Sequence, residues 1–120
     1  MDILLVDDNL SLIKTLKLFL KGEGHEVYAT SCPLEAFRLA SDRQFDLIIT
    51  DLVMPEMDGI ELIQKCLAIQ SSIKAILITG HWDRLEDQQV EQSPACLTIL
   101  PKPLDIDRLM DEIKNMQVVG

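Results

Sequence analysis

Two kinds of apolar pattern alternate along the chain. Short continuous runs, ILLV (3–6), EVYA (26–29), DLIIT (46–50), KAILIT (74–79) and CLTIL (96–100), read as strands. Between them, apolar positions recur at helical spacing. Residues 10–21 predict a helix with Leu12, Leu16, Phe19 and Leu20 on one face, stopped by Gly22 and Gly24. A second helix starts at Pro33, a good first-turn residue, carries Leu34, Phe37 and Leu39, and ends near Arg43. A third spans 59–69 with Ile60, Ile63 and Leu67 inward. Residues 84–92 form a weak, polar fourth, and 105–116 a fifth striped by Ile106, Leu109, Met110, Ile113 and Met116 behind an Asp105 cap.

Strict alternation of strands and helices demands a parallel sheet with helices on both faces. Continuous apolar strands agree, because both faces are then covered. This is a doubly wound α/β fold. Such a sheet places its functional crevice at the carboxyl ends of the strands, at the topological switch point.

Composition narrows the picture. A length of 120 residues suits one domain, 1–120, with no linker, repeat or low-complexity segment. The net charge of −9 argues against direct binding to nucleic acid or to an anionic membrane. No apolar run approaches membrane-spanning length, and the start MDILLVDD lacks the basic region of a signal peptide. Cys32, Cys66 and Cys96 have no metal spacing and read as reduced thiols of a cytoplasmic protein. His25 reads as an exposed residue at a strand start.

The chemistry lies just past the strands. The first ends in Asp7 and Asp8, the third in Asp51, the fourth in Thr79 and Gly80, and the fifth in Pro101, Lys102 and Pro103. With the first and third strands adjacent, three carboxylates share one small site. Each pair repels by a few kcal/mol at an effective dielectric of ~20, which calls for a cation. An open, all-oxygen set suits Mg²⁺. A carboxylate nucleophile, a divalent cation, a hydroxyl and an ammonium make a phosphoryl-transfer constellation. Asp51 is the candidate nucleophile because it stands alone on the middle strand. Asp7 and Asp8 could instead cap the first helix, but capping explains one acid and not three. Asp58 reads as a helix cap before Gly59.

LLVDD (4–8), ITDLVMPEMDG (49–59), LITG (77–80) and LPKP (100–103), in this order and at strand ends, resemble the receiver (phosphoacceptor) domain of two-component response regulators over essentially the whole chain. The resemblance implies a flavodoxin-like sheet of strand order 2-1-3-4-5. It implies phosphorylation of Asp51 by the phosphohistidine of a sensor histidine kinase or phosphotransfer protein. It implies Mg²⁺ on Asp8, Asp51 and the Val53 backbone carbonyl, with Asp7 acting mostly through water. Thr79 and Lys102 would hold phosphoryl oxygens, and the Lys102–Pro103 bond would be cis. Gly59 would permit a turn that other residues resist. The protein would be a signalling switch, not a turnover enzyme, acting on a linked output domain or a partner through the face of segment 84–92, the fifth strand and the fifth helix. That face also offers a homodimer contact. The chain ends in MQVVG just past the last helix, which suits a stand-alone regulator or a receiver cut from a longer protein.

Departures from the family pattern are specific. Ile99 stands where receivers commonly carry Tyr or Phe, so the usual threonine–aromatic switch is changed. Val53 cannot orient an attacking water; His81 could, but it reads more readily as a structural or solvent-exposed residue than as a catalytic one. TGHWD (79–83) and LPKP resemble receivers of nitrogen-regulator-class transcription activators. Leu10, Ile13 and Leu18 fall outside the first helix's apolar face; one reading has them cover neighbouring loops, and the alternative makes Leu10 and Ile13 a docking patch for a helical kinase domain. Two other functions fit parts of the pattern. A haloacid-dehalogenase-type phosphatase also uses an aspartate nucleophile with Mg²⁺, but it wants a second acid where Val53 stands. A degenerate receiver serving only as a docking module is opposed by the complete acid, threonine and lysine set.

Overall fold

A computed structural model describes residues 1–80 and 97–119. The elements are β1 (Asp2–Val6), α1 (Leu10–Gly22), β2 (Glu26–Thr30), α2 (Pro33–Asp42), β3 (Leu47–Asp51), α3 (Gly59–Ile69), β4 (Lys74–Thr79), β5 (Leu97–Pro101) and α4 (Ile106–Val119). The helix expected over 84–92 lies outside the described residues, as do His81, Trp82 and Cys96. The strands form one parallel sheet in the order β2-β1-β3-β4-β5, as expected.

Because side chains alternate along a strand, each strand feeds two cores. Leu4, Val6, Ile48, Ala75 and Leu77 pack with α2 and α3 residues such as Ala36, Ile63 and Cys66. Ile3, Leu5, Leu47, Ile49, Ile76 and Ile78 pack with Ile13, Leu16 and Leu20 of α1 and Leu109 and Ile113 of α4. Full burial of each such Leu or Ile is worth about 1.5–3 kcal/mol, so both faces of the sheet are firmly held.

The helix faces differ in places from the periodicity. On α1 the buried positions are Ile13, Leu16 and Leu20; Phe19 is 51% exposed, and Leu12 is half-buried. α1 has apolar residues on nearly every side, so periodicity alone admits more than one inward stripe. Ile13 therefore belongs to the core and not to a surface patch, while Leu10 and Leu18 stay exposed. On α2 the small residues Ala36 and Ala40 approach the sheet with Pro33, and Leu34 faces solvent. Phe37 and Leu39 flank that contact, half-buried. His25 is buried, not exposed: its Nδ1 lies 3.1 Å from the Met1 amine.

The turn after α1 explains Gly24. The His25 N–H donates to Leu20 O and the Gly24 N–H to Lys21 O, the two bonds of a Schellman end. Gly24 takes the φ of +91° that this closure requires.

Candidate functional site at the carboxyl edge of the sheet

Strand register assembles the site. Val6 pairs with Thr50, so Asp7 is level with Asp51. Asp51 pairs with Ile78 and Thr79 with Pro101, which brings Thr79 and Lys102 to the same edge. The Lys102 N–H donates to Thr79 O at 3.0 Å, tying the two strand ends together. The Lys102–Pro103 peptide is cis.

Asp7 and Asp51 are buried, Asp8 is exposed, and one carboxylate oxygen from each lies within 4.8 Å of the others. Lys102 Nζ spans the two buried acids, 3.5 Å from Asp7 Oδ2 and 3.3 Å from Asp51 Oδ2. Three carboxylates against one ammonium leave a formal charge of −2 in a small volume. The strain appears in Asp7. Burial pushes its carboxyl above the usual carboxylate range, and Asp51 and Asp8 add to the rise. The Asn9 N–H and Lys102 oppose it. This three-acid group can hold a metal ion.

Neither Asp7 nor Asp8 caps α1. The cap is Asn9, whose Oδ1 accepts the Leu12 N–H, and the first turn carries no acid. Asp7 Oδ1 instead accepts the Asn9 N–H at 2.8 Å, which turns the chain away and leaves Oδ2 on Lys102. Asp58 does cap its helix, accepting the Glu61 N–H at 2.8 Å.

The loop from Leu52 to Asp58 is anchored at several points. The Leu52 N–H donates to Asp51 Oδ1 at 2.8 Å, and Leu52 O accepts the Gly59 N–H at 2.8 Å. Leu52, Met54 and Met57 are buried beside the half-buried Val53. A three-residue turn closes from the Met57 N–H to Pro55 O around Glu56, at φ +75°. The left-handed residue is thus Glu56 and not Gly59. Gly59 is needed for a different reason: a Cβ there would collide with the Asp51 carbonyl oxygen and lie 2.8 Å from Leu77 Cδ1. The glycine is legible in the sequence, whereas the crowding around it is a tertiary contact. Thr50, a buried polar residue inside an otherwise apolar strand, belongs to the same region, and its residue type is the only sign of it in the sequence.

A family model described as response regulator receiver domain matches residues 3–114. The chain belongs to the response regulator receiver domain family. Among curated relatives, this receiver is 30% identical to sporulation initiation phosphotransferase F of Bacillus subtilis, covering 94% of this chain and 90% of that one. It is 34% identical to the transcriptional regulatory protein GlrR of Escherichia coli over 94% of this chain, but spans only 25% of that regulator's length. Among solved structures, a CheY-like receiver from Methanospirillum hungatei superposes with a TM-score of 0.87 at 26% identity, covering 99% of this chain and 98% of that one. The response regulator TrrA of Thermotoga maritima, solved in complex with Mg²⁺-BeF, gives 0.82 at 25% identity, with coverage of 96% and 97%.

Receiver domains are signalling modules and not turnover enzymes, which removes the phosphatase reading. They partner with histidine kinases or phosphotransfer proteins, and several relatives of this receiver are transcriptional regulators. Among the described residues, no helix is long and apolar enough to cross a membrane.

Proposed function

We propose that this receiver takes a phosphoryl group onto Asp51 from the phosphohistidine of a sensor histidine kinase or phosphotransfer protein. The observation that carries the reading is the convergence of Asp51 with Asp7, Asp8 and Lys102 at the switch point of the sheet. Asp51 Oδ1 is held by the Leu52 N–H, which leaves Oδ2, next to Lys102, to attack. The new bond is Oδ2–P; the bond broken is P–N of the phosphohistidine, whose electron pair returns to the imidazole nitrogen. Lys102 is a compact positive charge beside the entering group, and Thr79 offers a hydroxyl to a phosphoryl oxygen.

The donor set fits Mg²⁺. All three side chains are hard oxygen donors, the formal charge left after Lys102 is −2, and Asp8 is exposed, so coordinated water has room. Asp8, Asp51 and the Val53 carbonyl are assigned to the ion, and Asp7 to its water. When bound, Mg²⁺ supplies charge neutralisation on the transferring phosphoryl oxygens.

The output is a population shift in the face that includes β5 and α4, transmitted to a linked output domain or partner and available for homodimer contact. Ile99 on β5 is half-buried against the α2–α3 core, so the shift is a repacking of an aliphatic side chain. The chain acts as a single cytoplasmic domain with no direct contact to nucleic acid or membrane. It performs only self-phosphorylation and slow self-hydrolysis. Incubation with phosphoramidate, with and without Mg²⁺, followed by intact mass, tests this. One added phosphoryl group that needs Mg²⁺ and vanishes in Asp51→Asn is expected. A wild-type chain with no adduct contradicts the reading and leaves a docking module.

A further inference from the structure

Thr50 precedes Asp51 on β3 and is fully enclosed, at 1% exposure. Strand alternation points its side chain to the sheet face opposite that of Asp51, so it does not enter the acidic site. Its hydroxyl has two acceptors within reach: the Asp51 carbonyl oxygen at 3.0 Å and Met54 Sδ at 3.7 Å. A hydroxyl has one proton, and an amide carbonyl is a far stronger acceptor than a thioether. The proton therefore sits on Asp51 O, with the sulfur packed alongside.

That carbonyl is also the atom against which Gly59 is pressed. One peptide group is thus gripped from two sides, by a hydroxyl and by a glycine with no room for a Cβ. The next residues are fixed as well. Leu52 is bonded through both its N–H and its carbonyl, and Met54 is buried against Thr50. Val53, whose carbonyl is assigned to Mg²⁺ above, lies between these two anchors.

We propose that Thr50 is a positioning residue for the phosphorylation site: its hydroxyl fixes the Asp51 peptide and the Met54 anchor, and through them orients the Val53 carbonyl toward the metal. This rests on the reading of Asp51 and Val53 given above. Partners lying behind metal ligands commonly change affinity by about 10–100-fold when removed, which sets the scale.

The test uses Thr50→Val, which keeps the shape and loses the hydroxyl, and Thr50→Ser, which keeps the hydroxyl. Mg²⁺ dissociation constants come from calorimetry, phosphoramidate rates at saturating Mg²⁺ from intact mass, and stability from urea unfolding. Thr50→Val is expected to weaken Mg²⁺ binding by about tenfold, and Thr50→Ser to restore it to within about threefold of wild type. A Thr50→Val chain that binds Mg²⁺ like wild type overturns the proposal. So does a Thr50→Ser chain as weak as Thr50→Val, or a loss of binding that merely follows a loss of folded protein in urea. A wild-type chain that neither binds Mg²⁺ nor gains a phosphoryl group sinks the parent reading and this one together. A wild type that does both, beside an indifferent Thr50→Val, sinks this one alone.

Discussion

At the amino end of β1 and β3, Asp2 and Asp46 belong to a network that spends its polar groups on structure. Asp46 Oδ2 accepts the Asp2 N–H at 2.7 Å, and Asp2 Oδ2 lies 3.6 Å from the Arg43 guanidinium. That guanidinium lies 4.0 Å from the Tyr28 ring centroid. Buried Gln70 joins three backbone groups, accepting from Phe45 N–H and donating to Ala40 O and Arg43 O. At the carboxyl end of the same two strands, Asp7 and Asp51 are both buried, unlike Asp2 and Asp46, and must share Lys102. One end pairs most of its polar groups with one another; the other gathers three carboxylates around one ammonium, a group that can hold a metal ion.

The largest expected effect breaks the amino end. Gln70→Leu leaves a buried N–H and two carbonyls without their partner and should cost about 3–4 kcal/mol in urea unfolding. The folded fraction should still gain a phosphoryl group at the wild-type rate. A parallel loss of phosphorylation would mean that the two ends are not separable.

Next comes the joint between core and site. Gly59→Ala forces a Cβ into the Asp51 carbonyl, and overpacking of this kind costs about 1–3 kcal/mol. Because the collision is with the Asp51 peptide itself, phosphoramidate labelling should fall as well, which Gln70→Leu should not produce.

Asp7→Asn sharpens the comparison in the other direction. Like charges within 4.8 Å repel by about 3 kcal/mol at an effective dielectric of ~20, and Lys102 offsets most of this. Asn keeps an acceptor for the Asn9 N–H. Without Mg²⁺, the variant should therefore be more stable by about 1 kcal/mol, while its Mg²⁺ affinity falls. Lower stability in Asp7→Asn would show that the carboxylate is structural.

The smallest effect is a pH dependence at His25. Burial pushes its imidazole below the usual value, as does the neighbouring amine of Met1, with Glu23 opposing. The unfolded chain then binds the proton more readily, so this contribution to stability is present above the unfolded value near 6.5 and is lost as pH falls toward the folded one. Asp7 has the opposite sign: its raised value favours the folded state in acid, and that contribution is lost as pH rises through the folded value. Urea midpoints from pH 7 to 5 should fall less in His25→Gln than in wild type.

Which features were legible in the sequence follows from where their causes lie. Continuous apolar runs made the strands readable, and the Asp58 cap and Gly59 placed α3 at 59–69 as observed. Order along the chain was enough to bring Asp7, Asp8, Asp51, Thr79 and Lys102 to one edge, because a parallel sheet puts every strand's end on the same side. The inward face of α1 was not readable, since apolar residues surround that helix and only the packing against β-strand residues selects Ile13, Leu16 and Leu20. The burial of Ala36 and Ala40 in place of Leu34 depends on how closely α2 approaches the sheet. The roles of Gln70, His25 and Thr50 arise from contacts distant in sequence or from backbone carbonyls, neither of which leaves a periodic mark.

A crystal structure of the chain with Mg²⁺ and beryllofluoride tests the central claim most directly. The account predicts beryllium bonded to Asp51 Oδ2, Mg²⁺ on Asp8, Asp51 and the Val53 carbonyl, and Lys102 and Thr79 on the fluorides. Beryllofluoride on another acid, or a Lys102 still bridging Asp7 and Asp51 with no adduct between them, would contradict it.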